Sequence, residues 1–197
     1  GYLGPFDEKA SPRPREKTTT VPERLRSSFE ELGGTFVKLG QILSTRPDLV
    51  PREYIEEFAK LQDDVAPETF EAIKAVIEED LGSPVEELFT SLDPNPLGSA
   101  SIAQVHRGEL PDGTSVVIKV QRPGIAKIIE TDVSILYTVA DLMERYIKDL
   151  SFFRPRDVVS EFSRAILQEL NFTHEAHNLD MFRENFEGDD RIIIPKV

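Results

Sequence analysis

The chain has 197 residues, a formal net charge of −13 and no cysteine. The negative charge disfavours nucleic-acid binding as the main task, and the lack of cysteine excludes disulfide bonds and thiolate metal sites. No apolar run reaches the ~20 residues that span a bilayer, and the first 20 residues lack the apolar core of a signal peptide. We therefore expect a cytoplasmic location, with any membrane association peripheral.

The N-terminal region predicts a mobile arm followed by helices. Residues 1–21 are rich in Pro and Thr and form the predicted arm. From Pro22 onward, apolar residues recur at spacings of three and four, which predicts a helix with one apolar face. These residues are Phe29, Leu32, Phe36, Leu39 and Leu43.

Further helices are predicted after the break that Pro47 and Pro51 impose. Helical patterns occupy 52–62, 66–82 and 84–89. In the second of these, Pro67 lies near the expected first turn and Gly82 at the expected C-cap. Residues 22–91 are therefore predicted to form a helical region.

Lys38, Gly40 and Gln41 lie inside the first apolar pattern. Glycine in a helix interior costs about 1 kcal/mol relative to alanine, so its presence needs a reason. Either another part of the chain approaches the backbone closely at Gly40, or the stretch carries a site. Lys38 and Gln41, three residues apart, share a helix face that differs from the apolar one.

The pattern changes after Leu92 from helices to strands. Residues 101–110 and 114–121 read as strands joined by "PDG", a hairpin turn signal. Helical patterns follow at 125–149 and 154–186, and 191–197 read as a terminal strand. The order of elements predicts an α+β fold with a helical N-terminal extension.

The hairpin carries the residues that suggest phosphate chemistry. The preceding loop, "PLGSAS", has small residues that let backbone N–H groups approach phosphates closely. Lys119 follows three apolar β-formers, as does the kinase lysine that contacts the α- and β-phosphates. A surface lysine on a strand is the alternative interpretation of this residue alone.

Four motifs together resemble the UbiB (AarF) family of atypical protein-kinase-like proteins. They are the K-x-G-Q motif "KLGQ" at 38–41, the loop "PLGSASIAQVH" at 96–106, the lysine strand "VVIKVQRPG" at 116–124 and the αC-type helix "QELNFTHEAHN" at 168–178. The resemblance implies a helical extension, 22–91, packed on a protein-kinase-like N-lobe, 92–197, whose antiparallel sheet carries an αC-type helix.

The resemblance also implies roles for individual residues. Lys119 would contact the nucleotide phosphates and pair with Glu175 of the αC-type helix. Lys38 of the extension would reach Glu169, the first residue of the family's E-x-D element, and Gln41 would point into the nucleotide pocket. The loop residues that would contact the nucleotide are Gly98, Ser99, Ala100 and Ser101.

Two departures from the family pattern affect these roles. Asn171 replaces the Asp of the E-x-D element and brings no negative charge, which weakens any role in metal contact. Gly98 dilutes the alanine content of the loop and should make it more flexible. The pair His174 and His177 in "HEAH" lacks the metalloprotease spacing and a third ligand, so we predict no metal site.

The chain also lacks the hinge, the catalytic-loop Asp and the Asp-Phe-Gly segment that supply the base and the Mg²⁺ ligands of phosphoryl transfer. We therefore expect the N-terminal part of an ATP-binding enzyme that is inactive alone, with Mg²⁺ held by the absent C-lobe. The exposed lobe surface predicts self-association.

The resemblance implies ATP-dependent kinase or ATPase activity in support of ubiquinone or related isoprenoid-lipid metabolism, with a membrane lipid or lipid-biosynthesis proteins as partners. The alternative is a non-catalytic helical docking module on a vestigial kinase lobe.

Overall fold

The computed structural model describes residues 19–62, 65–147 and 154–197. In these residues it contains eight helices and a four-stranded antiparallel sheet, so the predicted α+β class is confirmed. The helices are α1 Val21–Leu32, α2 Gly34–Ser44, α3 Arg52–Phe58, α4 Phe70–Leu81, α5 Val85–Leu88, α6 Ile125–Tyr146, α7 Pro155–Leu170 and α8 Phe172–Asn185. The strands are β1 Ser91–Leu92, β2 Gly98–Ser99, β3 Ala103–Glu109 and β4 Ser115–Gln121.

The first predicted helix is divided into α1 and α2 at Gly33. This residue has φ 100°, a conformation that glycine adopts without strain, and its N–H donates to the Phe29 carbonyl at the end of α1. Phe29 and Leu39 of the apolar pattern are buried, whereas Leu32 at the end of α1 is exposed. The prediction of one continuous apolar face was therefore wrong at this position.

Helix α4 begins later than its sequence pattern indicated. Thr69 is the N-cap and accepts a hydrogen bond from the Ala72 N–H, so Pro67 lies outside the helix. At the other end, Gly82 adopts the left-handed conformation, with φ 70°, and receives the C-cap role that was predicted.

The predicted hairpin is confirmed. Strands β3 and β4 pair from Ala103 opposite Gln121 to Glu109 opposite Ser115. Strands β1 and β2 pair with different ends of β3. The predicted terminal strand was wrong, since residues 191–197 form no strand in the structure.

The C-terminal helical region differs in detail from its prediction. Helix α6 ends at Tyr146, and residues 148–149 of its predicted range lie outside the described residues. The pattern over 154–186 is divided at Asn171, whose side chain accepts a hydrogen bond from the Thr173 N–H and caps α8. Glu169 and Glu175 therefore lie on two different helices.

Two apolar clusters hold these elements together. The larger cluster joins α1–α3 to α6 and α7 and includes Phe29, Leu39, Phe58, Ile129, Phe162 and Ile166. The smaller cluster packs α4 and α5 on the sheet and consists of Ile73, Ile77, Val85, Phe89 and Val120. Both clusters cross the predicted domain boundary at residue 91, because each joins helices before it to elements after it. In the described ranges, no helix is both long and apolar enough to cross a membrane.

Candidate functional site

A cleft of about 640 Å³ lies between the N-terminal end of the hairpin and helices α2, α7 and α8. Each wall contributes polar side chains or backbone to its lining. The residues that carry the predicted roles and line this cleft are Lys38, Ala100, Ser101, Lys119, Glu169 and Glu175.

Lys119 and Glu175 form one ion pair of the cleft. Lys119 extends from β4, and Glu175 lies in the first turn of α8. The Lys119 Nζ lies 2.5 Å from a Glu175 carboxylate oxygen and 4.8 Å from the centre of the Phe172 ring. Both charged side chains are well exposed, at 40% and 50%. This ammonium is therefore fixed in direction but open to a ligand.

Lys38 and Glu169 form the second ion pair, which joins α2 to α7. The Lys38 Nζ lies 2.9 Å from a Glu169 carboxylate oxygen, and the Lys38 side chain is only 18% exposed. A charge this far out of water needs a partner, since an unpaired buried charge is costly. The pair therefore fixes α2 across the mouth of the cleft.

The side chains of Leu61 and Phe29 lie close to the backbone at Gly40, as the first of the two sequence-based alternatives predicted. A Cβ at this position would overlap the Leu61 Cδ1 and would lie 3.0 Å from the Phe29 Cδ2. Glycine therefore lets α2 pack tightly against α1 and the end of the α3 region while Lys38 lines the cleft. The close approach is thus confirmed, and a site role for this short motif stays a prediction.

Gln41 does not line the cleft. Its side-chain amide donates to the Leu61 carbonyl at 3.3 Å and so supports the same packing at Gly40. A role for Gln41 in nucleotide binding stays a prediction.

The last residue of β2 and the loop that follows it, residues 99–102, are together called the cleft loop; Ala100, Ser101 and Ile102 of this segment line the cleft. Gly98 and Ser99, which were predicted to contact the nucleotide, pair as strand β2 with β3 and are not in the cleft lining. Ala100 and Ser101 are in the lining. Ser101 also contacts the start of α2, because a Cβ on Gly34 would lie only 3.2 Å from the Ser101 Cβ.

Two backbone donors of the cleft loop are not engaged by the described part of the chain. The N–H groups of Ser101 and Ile102 have no hydrogen-bond acceptor among residues 19–62, 65–147 and 154–197. Both residues are buried and line the cleft. Backbone N–H groups beside an exposed ammonium form a favourable environment for an anion such as a phosphate group.

Several lining residues were not predicted from the sequence. Ala165 and Gln168 flank Glu169 on α7, and His174 and Asn178 flank Glu175 on α8. Helical spacing of three or four residues from the two glutamates would have identified Ala165 and Asn178, whereas it gives no signal for Gln168 and His174, which are one residue away. Asn171 also lines the cleft, so it contributes an amide where the family pattern has a carboxylate.

The histidines of "HEAH" do not build a metal centre with their neighbours. Both His174 and His177 lie exposed on α8. Over the described part of the chain, no group of three or more potential ligand side chains could hold a metal ion.

Comparison with known proteins identifies what the chain is similar to. The ABC1 atypical kinase-like domain matches residues 60–197. A probable protein kinase UbiB from Marinobacter nauticus is 46% identical over 175 residues, which are 89% of this chain and 32% of that protein. The probable protein kinase UbiB from Aeromonas salmonicida is 48% identical over 175 residues, which are 88% of this chain and 32% of that protein.

A solved structure is also similar. The complex of Rv3197 with erythromycin from Mycobacterium tuberculosis matches with a TM-score of 0.57 and 27% identity, over 88% of this chain and 44% of that one. The chain spans about a third of the length of the curated relatives it matches. The resemblance to UbiB proteins is thus confirmed. Because the domain match covers more than half of its residues, the chain belongs to the family of ABC1 atypical kinase-like proteins.

Proposed function

We propose that the cleft binds the phosphates of ATP or ADP, and that the full-length protein is an atypical kinase or ATPase of the UbiB type. The observation that carries this proposal is the convergence of Lys119, Glu175, Lys38 and Glu169 on one cleft, beside the free N–H groups of the cleft loop.

Each group has a distinct proposed task. Lys119, exposed and held by Glu175, would contact the phosphates and neutralise part of their charge. The Ser101 and Ile102 N–H groups would donate to phosphate oxygens. Because these donors belong to the backbone, they cannot rotate away from the ligand as a side chain can. Lys38, held by Glu169, would keep α2 over the cleft and so limit access for a large substrate such as a protein.

Phosphoryl transfer also needs Mg²⁺, which neutralises charge between the phosphates. The two cleft carboxylates are each bound to a lysine, so they are poor candidates for a dedicated metal site. We propose that the Mg²⁺ ligands and the catalytic base lie in the part of the relatives' length that this chain does not span. Residues 1–197 alone would then be inactive.

The physiological role is the remaining part of the proposal. We propose support of ubiquinone or related isoprenoid-lipid metabolism, in line with the similarity to proteins named UbiB. A membrane surface as the location, and lipid or lipid-biosynthesis proteins as partners, are further parts of this proposal. Self-association through the exposed lobe surface also stays a proposal.

The alternative of a non-catalytic docking module has less support. It would gain if Lys38 faced solvent, whereas this side chain is 18% exposed and pairs inside the cleft.

Calorimetry with a non-hydrolysable ATP analogue and with ADP tests the nucleotide site in the full-length protein. We expect binding by the wild type and a loss of affinity of about tenfold or more in Lys119→Ala, the equivalent of one charge-assisted contact. The control is Lys127→Ala, which removes an exposed lysine from α6 outside the cleft. No binding by the wild type, or equal affinity in both variants, would contradict the proposal.

A further inference from the structure

Arg122 makes an unusual set of contacts immediately after β4. Its side chain is buried, at 8% exposed for the residue, and lies three positions beyond Lys119. The guanidinium donates to two different segments of the chain, the cleft loop on one side and residues 66–68 on the other. Because its N–H groups donate in fixed directions, this buried guanidinium holds its acceptors in place rather than moving as a solvated charge would.

The contacts with the cleft loop determine its orientation. The Arg122 Nε donates to the Ala100 carbonyl at 2.8 Å, and an Nη donates to the Ser99 hydroxyl oxygen at 2.9 Å. The Arg122 backbone N–H donates to the Ile102 carbonyl at 2.9 Å. Because C=O and N–H of one trans peptide point in opposite directions, holding the Ala100 carbonyl turns the Ser101 N–H away from Arg122.

The contacts on the other side join the cleft loop to the segment between α3 and α4. The guanidinium donates to the Glu68 carboxylate at 2.6 Å and to the Ala66 carbonyl at 2.9 Å. The Glu68 N–H in turn donates to the Gln104 side-chain oxygen, and Gln104 is fully buried in β3. The segment before α4 is therefore docked on the hairpin at both its backbone and its side chain.

We propose that Arg122 is a positioning residue that holds the cleft loop in its phosphate-binding orientation and couples it, through Glu68, to the segment preceding α4. It touches no ligand itself and acts through the Ser101 and Ile102 N–H groups. A movement of residues 66–68 would then change nucleotide affinity without any contact between that segment and the nucleotide. The effect on affinity rests on the proposed function, whereas the hold on the loop does not.

Hydrogen exchange at single amides of the full-length protein, without nucleotide, tests the hold on the loop. The reporter is the Ala100 N–H, which donates across the loop to the carbonyl of Ala103, the first residue of β3. In Arg122→Lys, which keeps the charge but loses the fork, we expect this amide to exchange about tenfold faster. The reference amide is Leu110 N–H, bonded to the Thr114 carbonyl at the far end of the hairpin, and its exchange should not change.

Two milder variants keep the test decisive if Arg122→Lys fails to fold. Glu68→Gln removes the charged partner, and Ser99→Ala removes one contact with the loop; each should speed the exchange of Ala100 about threefold, a fraction of one hydrogen bond. The control is Arg107→Lys, an exposed arginine on β3. Unchanged exchange of Ala100 in both milder variants would overturn the proposal.

Calorimetry with the ATP analogue then tests the consequence for binding. We expect the smallest loss of affinity in Ser99→Ala, a larger loss in Glu68→Gln and the largest in Arg122→Lys, with no change in Arg107→Lys. Faster exchange with unaltered affinity would overturn the positioning role. If the wild type binds no nucleotide, the proposed function fails, and the exchange data alone decide whether Arg122 holds the loop.

Discussion

The two lysine–glutamate pairs of the cleft have the same chemistry but different surroundings. Lys38 is 18% exposed and its pair joins two helices, α2 and α7, from distant parts of the chain. Lys119 is 40% exposed, and its partner Glu175 is 50% exposed. Removing one partner of an exposed ion pair costs little stability, whereas removing one partner of a more buried pair costs more because the remaining charge is left away from water. The comparison indicates that Lys38 serves both the fold and the site, and that Lys119 serves mainly the site.

The element that carries Lys38, α2, is also packed more deeply in the core than β4, which carries Lys119. Helix α2 places Leu39 and Leu43 in the larger apolar cluster and has Gly40 in close contact with Leu61 and Phe29. Strand β4 contributes Val120 to the smaller cluster, while Val117 is 63% exposed. A change in α2 should therefore affect the cleft through the core, and a change at Lys119 should remain local.

The largest effect on stability should come from Gly40→Val, which tests whether α2 depends on close packing in the core. Overpacking against Leu61 and Phe29 should lower the free energy of unfolding by about 2–3 kcal/mol. Urea denaturation measures this change. The control is Gly98→Ala, where an added Cβ meets nothing within 4 Å; it should change the free energy by less than about 0.5 kcal/mol. A stability of Gly40→Val equal to that of the wild type would contradict the close packing.

The next effect should come from Lys38→Ala, which removes the half-buried pair. The free energy of unfolding should fall by about 1–2 kcal/mol, because the Glu169 carboxylate loses its ammonium partner. A double-mutant cycle with Glu169→Gln isolates the contribution of this pair from other contacts of Lys38. A coupling energy near zero would show that the pair does not connect α2 to α7.

A smaller effect on stability should follow from Lys119→Ala, which tests whether Lys119 contributes less to the fold than Lys38 does. The exposed pair with Glu175 and the contact with Phe172 should together account for less than about 1 kcal/mol. Nucleotide affinity in the full-length protein should nevertheless fall as described above. The difference between Lys119 and Lys38 would disappear if Lys119→Ala destabilised the protein as much as Lys38→Ala does.

The smallest effect should come from Glu57, which joins α3 to Arg26 of α1, the two helices packed beside α2 and its Lys38. The hydrogen bond from Lys60, then that from Arg26, holds the pKa of Glu57 below its usual value of 4.5. A carboxylate whose pKa is lower in the folded state stabilises the protein above its unfolded pKa and loses this contribution as the pH falls through the folded pKa. The contribution is therefore complete at pH 7, begins to fall as the pH approaches the usual pKa of 4.5, and is lost as the pH falls through the lower folded pKa.

The measurement is the urea midpoint of Glu57→Gln and wild type between pH 3 and 7. We expect a slightly lower midpoint for the variant at pH 7 and convergence of the two proteins at acidic pH. Glu53→Gln, at an exposed position on the same helix, is the control. A difference that persists unchanged to pH 3 would contradict the ionic origin of the effect.

The accuracy of the sequence-based predictions depended on whether the relevant forces were local. The hairpin was predicted correctly, because alternation and the "PDG" turn act within about twenty residues. Gly82 was recognised as a C-cap for the same reason. By contrast, the apolar period runs through Gly33, and following that period alone hid the break that the Gly33–Gly34 pair marks.

At the C-terminal segment, a regular element was predicted where the structure has none. Residues 191–197 have strand-like composition, but strand propensity is realised only when a neighbouring strand supplies hydrogen bonds. Asn171 was treated only as a departure from the E-x-D pattern, although it caps α8 and separates the helices of Glu169 and Glu175. Arg122 was part of a quoted motif, yet its contacts with Glu68 and Ala100 depend on segments far apart in the sequence.

The sequence by itself determined the α+β class, the hairpin and the family, because these follow from local periodicity, turn residues and motifs. It also named the two lysines and two glutamates of the cleft through the resemblance. Only the tertiary structure decided that Lys38 and Lys119 share one cleft, that Gln41 supports packing outside it, and that Arg122 holds the cleft loop. These are contacts between distant segments, and their formation depends on how apolar surfaces are buried together rather than on any local preference of the chain.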